Sequence, residues 1–263
     1  MSLLLWIILF SLLGGVLSVV AAGSFLLFPE RVRVRLLPHF VSFAIGALLG
    51  AAFLALLPHA ITSNPHVDVH NIGLTVLIGI LSFFILEKMV LWRHCHSSHC
   101  EAHTPDHVHD EKPEHAAGIL ILIGDGLHNM VDGVLIAAAF MTDIHLGVVT
   151  SLAVAAHEIP QEVGDFAILL HSGFKRGRAF IFNILSSLTT IIGALLAYFG
   201  LQGLESLLPF VLAIAASSFI YIAVADLIPG LHKRTHMSAT LQQISLIIAG
   251  VAVIYLAHAT LHQ

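Results

Sequence analysis

The chain has 263 residues, of which 57% are hydrophobic and only 10% are Asp, Glu, Lys or Arg, against about 45–50% and about 25% in soluble domains. So few charges cannot cover a water-soluble surface, and a formal net charge of −5 with His neutral gives no basis for a nucleic-acid partner. The composition therefore predicts an all-α integral membrane protein, a single domain over 1–263.

A helix needs about 20 apolar residues to cross a hydrocarbon layer of about 30 Å. Eight runs qualify, near 3–27, 38–61, 71–92, 117–141, 145–171, 179–200, 207–228 and 241–261. The first has no basic residue ahead of Leu3 and is too long for a signal-peptide core, so it reads as a helix. Arg31, Arg33 and Arg35 follow the first span; Lys88, Arg93 and Lys112 border or lie in the loop after the third. Lys175, Arg176 and Arg178 follow the fifth, and Lys233 and Arg234 the seventh. These are all eleven basic residues, and they fall only in alternate connectors. The positive-inside rule then places those four loops in the cytoplasm and both termini outside. Compactness suggests a prokaryotic inner membrane. Ala52 to Pro58 (AFLALLP) in the second span resembles Ala223 to Pro229 (AVADLIP) in the seventh. Those spans run in opposite directions, as an inverted repeat requires.

The fourth span holds Asp125, His128, Asn129 and Asp132, spaced i, i+3, i+4 and i+7 on one helical face. The fifth repeats that spacing with Glu158, Gln161, Glu162 and Asp165, and His157 lies one turn before Gln161. An acidic side chain at the centre of a span costs about 2.5–3.5 kcal/mol on insertion scales, so five cost on the order of 10 kcal/mol or more. Lipid exposure is excluded for these stripes, which must face each other or a wet cavity. No Lys or Arg lies in the central part of any span to neutralise them. Protonated carboxylates sharing hydrogen bonds would compensate, and so would a bound cation. Two imidazoles, several carboxylates and two amides form an N/O ligand set suited to Zn²⁺, with Fe²⁺ and Mn²⁺ also compatible. His128 with Asp132, and His157 with Gln161, can each chelate one ion at i, i+4. Pro160 removes a backbone hydrogen bond beside the site. Gly124, Gly126, Gly133 and Gly164 are expected to let these two helices approach closely.

The HNMVDG of the fourth span and the HEIPQEVGD of the fifth resemble the paired signatures of the ZIP family of divalent-metal transporters. They are closest to the subgroup in which HNxxDG is followed by HExPHExGD. Eight spans, external termini and a His-rich loop between the third and fourth spans match as well, so the resemblance covers the whole chain. It implies a 3+2+3 helix arrangement with the fourth and fifth spans central, and a two-metal centre midway through the membrane. His128, Asp132, His157, Glu158 and Gln161 would make the main site; Asn129, Asp132, Glu158 and Gln161 would line the second. Glu162 is a further candidate, and Asp125, Asp165, Asp226 and His59 are candidates for the pathway. One departure is Gln161, where the subgroup often has His. An amide oxygen is a poorer donor to zinc than imidazole, which weakens the second position, while His157 still favours zinc over iron or manganese.

The implied function is uptake of Zn²⁺ into the cytoplasm by alternating access, with Cd²⁺, Fe²⁺ and Mn²⁺ as other substrates. Zinc is then cargo, with no cofactor expected. The expected partners are divalent ions and the lipid bilayer, and a homodimer is left open. The loop at 93–116, with seven His, Cys95 and Cys100, suits an adaptable metal-binding tract, and thiols on the cytoplasmic side stay reduced. An intramembrane metal-dependent hydrolase is the alternative, because His157-Glu158 begins like HExxH. Gln161 stands where the second His is needed. A metal sensor reading out through the loop ranks lower.

Overall fold

The computed structural model describes residues 1–94, 115–232 and 236–261, with the backbone alone at 90–94, 115–117 and 261. Most of the His-rich loop, with Cys95 and Cys100, lies outside the described residues, as do Lys233 and Arg234. Every regular element among the described residues is helical. We number the long helices α1 (Leu3–Phe25), α2 (Glu30–Thr62), α3 (Val69–His94), α4 (His115–Thr142), α5 (Ile144–His171), α6 (Arg176–Gly200), α7 (Glu205–Leu231) and α8 (Met237–Leu261). Seven of them are long and apolar enough to cross a membrane. The eighth, α5, has 28 residues, about 42 Å at about 1.5 Å per residue. It stands apart from the seven because His157, Glu158, Gln161, Glu162 and Asp165 interrupt its apolar run. The helix expected to start near 38 starts at Glu30 and runs through Pro38. Arg31, Arg33 and Arg35 form helix readily but are too polar to register as membrane span.

α3 and α8 keep little of their surface inside the bundle. Leu74, Leu77, Ile78, Leu81 and Ile85 on α3 are each more than half exposed. Such a face would drive aggregation in water and is ordinary against lipid. The core is built instead from α2, α4, α5 and α7, with α1 laid along α5.

The two similar strings adopt the same local structure. α2 widens to a π-turn at Ala51–Leu56 and α7 at Ile222–Leu227. In each, the bond that closes the wide turn spans five residues, Leu57 N–H to Ala52 C=O and Ile228 N–H to Ala223 C=O. The cause is the proline one residue later: Pro58 and Pro229 lack an N–H, and their rings crowd the carbonyl four residues back. The wide turn of α2 packs on the regular part of α7, and that of α7 on the regular part of α2.

Close approach falls on a different pair of helices from the one expected. A Cβ on Gly133 would meet the Thr190 carbonyl at 1.8 Å, and one on Gly193 would meet the Met130 carbonyl at 1.9 Å. Both contacts join α4 to α6. Gly126 also faces α6, at Ser186, whereas a Cβ on Gly124 or Gly164 would meet nothing within 4 Å. The carboxylates and imidazoles between α4 and α5 need room, so backbone contact there would leave them none. A tight turn joins α4 to α5, with Asp143 capping α5 by accepting from the Leu146 N–H at 3.0 Å.

Candidate metal centre

The i, i+3, i+4, i+7 face of α4 meets the corresponding face of α5 inside the bundle. His128, Asp132, His157 and Glu158 each offer one ligand atom, and the four atoms lie within 4.8 Å of one another. Asp132 Oδ2 is 3.3 Å from His157 Nε2 and 3.8 Å from His128 Nε2. Glu158 Oε1 is 3.4 Å from His128 Nε2 and 3.7 Å from His157 Nε2. The two Nε2 atoms are 3.3 Å apart. His157 is oriented by its own helix, Nδ1 donating to the Ala153 carbonyl at 3.1 Å, which leaves the Nε2 lone pair aimed at the centre. The edge of its ring rests against Phe219 of α7, 6.1 Å between centroids.

The oxygens in this cluster are unsatisfied by protein. Both carboxylate oxygens of Asp132 and of Glu158 are buried without a hydrogen-bond partner. Buried carboxylate oxygens without hydrogen bonds are costly, and among the described residues no Lys or Arg is placed to offset them. Four converging N and O donors around a small space are what a divalent ion of borderline softness requires.

The remaining expected residues divide. Asn129 is buried, but its amide is engaged: Nδ2 donates to Asp125 Oδ1 at 2.9 Å, and Oδ1 accepts from Thr190 Oγ1 of α6 at 2.8 Å. Asp125 is buried in the same network. Glu162 is fully buried against Asn183 of α6, and neither of its oxygens nor Asn183 Oδ1 has a hydrogen-bond partner. Gln161 and Asp165 are partly exposed on α5, and Asp226 is exposed within the wide turn of α7. His59, near the end of α2, packs edge-on against His258 of α8, 5.5 Å between centroids.

α6 is the contribution that motif reading on α4 and α5 misses. Asn183, Ser186, Ser187 and Thr190 are all buried, and they repeat the i, i+3, i+4, i+7 spacing in a third apolar span. Ser186 Oγ donates to the Leu122 carbonyl at 3.2 Å and Thr189 Oγ1 to the Gly126 carbonyl at 2.6 Å. The same spacing test applied to small hydroxyls and amides finds this face in the sequence.

The surroundings of the cluster are unequal. Beyond Asp132 toward the α4–α5 turn, Leu135 to Phe140 are all at most 2% exposed, backed by Ala51, Ala52 and Ala55 of α2 and Ala213, Ala215 and Ala216 of α7. On the opposite side His128 retains 23% side-chain exposure. The cluster is thus sealed on the side of the turn, while His128, one helical turn further from it, is the member that keeps some exposure.

Fold and site together define a multi-pass integral membrane protein with a buried cluster of N and O donors that could hold a metal ion. The model of the ZIP zinc transporter family matches residues 2–116 and 92–258, and the chain belongs to that family. It is similar to zinc transporter ZIP13 of Pongo abelii, 34% identical over 235 residues, covering 84% of this chain and 66% of the relative. Human zinc transporter ZIP13 is 32% identical over 84% of this chain and 70% of its own length. Zinc transporter zipt-7.1 of Caenorhabditis briggsae is 29% identical over 97% of this chain and 79% of its own. The chain thus spans about two thirds to four fifths of these relatives. A family of zinc transporters makes zinc cargo and removes the hydrolase alternative. The relatives named are animal proteins and lend no support to the expected prokaryotic inner membrane.

Proposed function

We propose that the protein carries Zn²⁺ across the membrane into the cytoplasm, binding it between His128, Asp132, His157 and Glu158 and passing it on by alternating access. The observation that carries this reading is the convergence of two imidazole nitrogens and two unpartnered, buried carboxylate oxygens in a space free of Lys and Arg. Gln161, beside this cluster on α5, completes the proposed coordination as a weak ligand. The second ion position expected from the resemblance needs Asn129, whose Oδ1 would first have to leave Thr190. One tightly held ion is therefore the simpler arrangement, with Glu162 outside its immediate shell. In this reading α5 is an eighth crossing, the helices follow the 3+2+3 plan, and both termini lie outside. Closure on one side of the cluster and exposure on the other suit a carrier better than a pore, since a continuous path through full-charge ligands would hold the ion too long. The inward direction rests on the family resemblance.

The test is zinc uptake into vesicles reporting with an internal zinc-sensitive dye. Asp132→Ala/Glu158→Ala is expected to lower uptake by at least 100-fold, since losing two charged ligands removes several kcal/mol of ion binding. Uptake at the unmutated rate would sink the site assignment. Competition by Cd²⁺, Fe²⁺ and Mn²⁺ then ranks the substrates, and preference for Mn²⁺ or Fe²⁺ over Zn²⁺ would overturn the choice of cargo.

A further inference from the structure

A cavity of about 460 Å³ opens where α1, α2, α5 and α6 reach the basic end of the bundle. It is remote in kind from the metal cluster, being lined mainly by apolar side chains, among them Val20 and Leu27 of α1, Phe166 and Leu170 of α5, and Phe180 of α6. Two guanidinium groups stand in this apolar wall, Arg33 from the start of α2 and Arg176 from the first residue of α6. Neither pairs with a carboxylate among the described residues, and Arg33 Nε is buried without a hydrogen-bond partner. The α6 N-terminus has no side-chain cap, and its first two residues, Arg176 and Gly177, line the cavity. Its unsatisfied N–H groups add to the positive field there.

We propose that this cavity is a binding site for one anionic phospholipid, with its phosphate between Arg33 and Arg176 and an acyl chain along Val20, Leu27, Phe166 and Phe180. Three properties select that occupant. Two unpaired cations at one mouth require an anion, and Arg forks match phosphate oxygens. The apolar wall requires hydrocarbon, which a free phosphate lacks. The cavity lies at helix ends, where a multi-pass bundle meets the headgroup layer, and basic pockets between spans are suited to acidic headgroups there. Phe166 and Leu170 belong to the helix that carries Glu158, so a seated chain wedges the end of α5 against α1 and α6. The inference rests on the chain being an integral membrane protein and stands apart from the assignment of the metal ligands.

The experiment measures motionally restricted, spin-labelled phosphatidylglycerol on the full chain in phosphatidylcholine nanodiscs. The unmutated protein is expected to retain phosphatidylglycerol over labelled phosphatidylcholine, and Arg33→Gln/Arg176→Gln to lose about thirtyfold in that preference. Arg35→Gln/Arg178→Gln removes the same charge from residues outside the cavity and is expected to keep the preference. Equal loss in both variants would mean a diffuse basic surface and overturn the site. Val20→Trp fills the cavity with both arginines intact, from a position that is 42% exposed and so tolerant of the change; it too should release the lipid. Retention there would overturn the acyl-chain placement. Displacement by inorganic phosphate would overturn the phospholipid as occupant, and resistance to phosphate supports it.

Discussion

The two ends of α4 and α5 are made of different kinds of residue and behave differently. Toward their shared turn, small and branched apolar side chains from four helices leave almost no exposed surface, and Leu135 to Phe140 form an unbroken buried stretch. Toward the basic end, the same helices carry Asp125, Gln161, Glu162 and Asp165, and His128 is in part accessible. Alanines that pack to crystal-like density make one end a seal, while at the other His128, Gln161 and Asp165 keep partial exposure. The lesson is that burial around the candidate cluster follows small apolar side chains on one side, while the polar side of the same helices keeps partial exposure.

The largest expected effect separates the two ends directly. With Cys95 and Cys100 changed to Ser, Ala138→Cys should label with a water-soluble thiol reagent on the order of 100-fold more slowly than Asp165→Cys, because the sealed side reacts only through rare opening. Equal rates would remove the asymmetry. Gly133→Leu drives a side chain into the Thr190 carbonyl and is expected to destabilise the protein by about 2–3 kcal/mol, read as a lowered thermal midpoint in detergent. A midpoint unchanged from the parent would mean that α4 and α6 part easily. Asp143→Ala removes the cap of α5 at the sealed end and should cost about 1 kcal/mol, a drop of a few degrees. The smallest effect lies in the connector before α3, where the backbone N–H of His70, and then its ring, hold the Asp68 carboxyl below its ordinary value of 3.8. A depressed carboxyl contributes stability above its unfolded value and loses it as the pH falls through the folded one. Asp68→Asn should therefore lower the neutral midpoint slightly, with the difference from the parent vanishing at low pH and the acid limb flattened; an unaltered acid limb would count against the His70 contact.

Much of this was legible before any coordinates. Apart from α2, which begins at Glu30 rather than near 38, the apolar runs locate the helices within a few residues, because a bilayer demands a length that composition alone can meet. His128, Asp132, His157 and Glu158 announce themselves because charge in an apolar helix has no other explanation than burial. Pairing between helices was not legible. Gly133 reads as a point of close approach, but only the packed chain tells that its neighbour is Thr190 of α6 rather than α5. Asn129 illustrates the other limit: an amide has as many uses as there are partners near it, and Thr190 lies 61 residues away in sequence.

The matched π-turns of α2 and α7 amount to one residue added to each helix. At about 100° per residue, that addition turns everything beyond it, so His59 faces His258 only because Ala51–Leu56 is wide. Deleting a single residue from that segment would swing His59 away from α8 while leaving every upstream contact of α2 in register. A one-codon deletion there, and its counterpart in Ile222–Leu227, would thus reorient the far end of a helix without substituting any residue outside the wide turn.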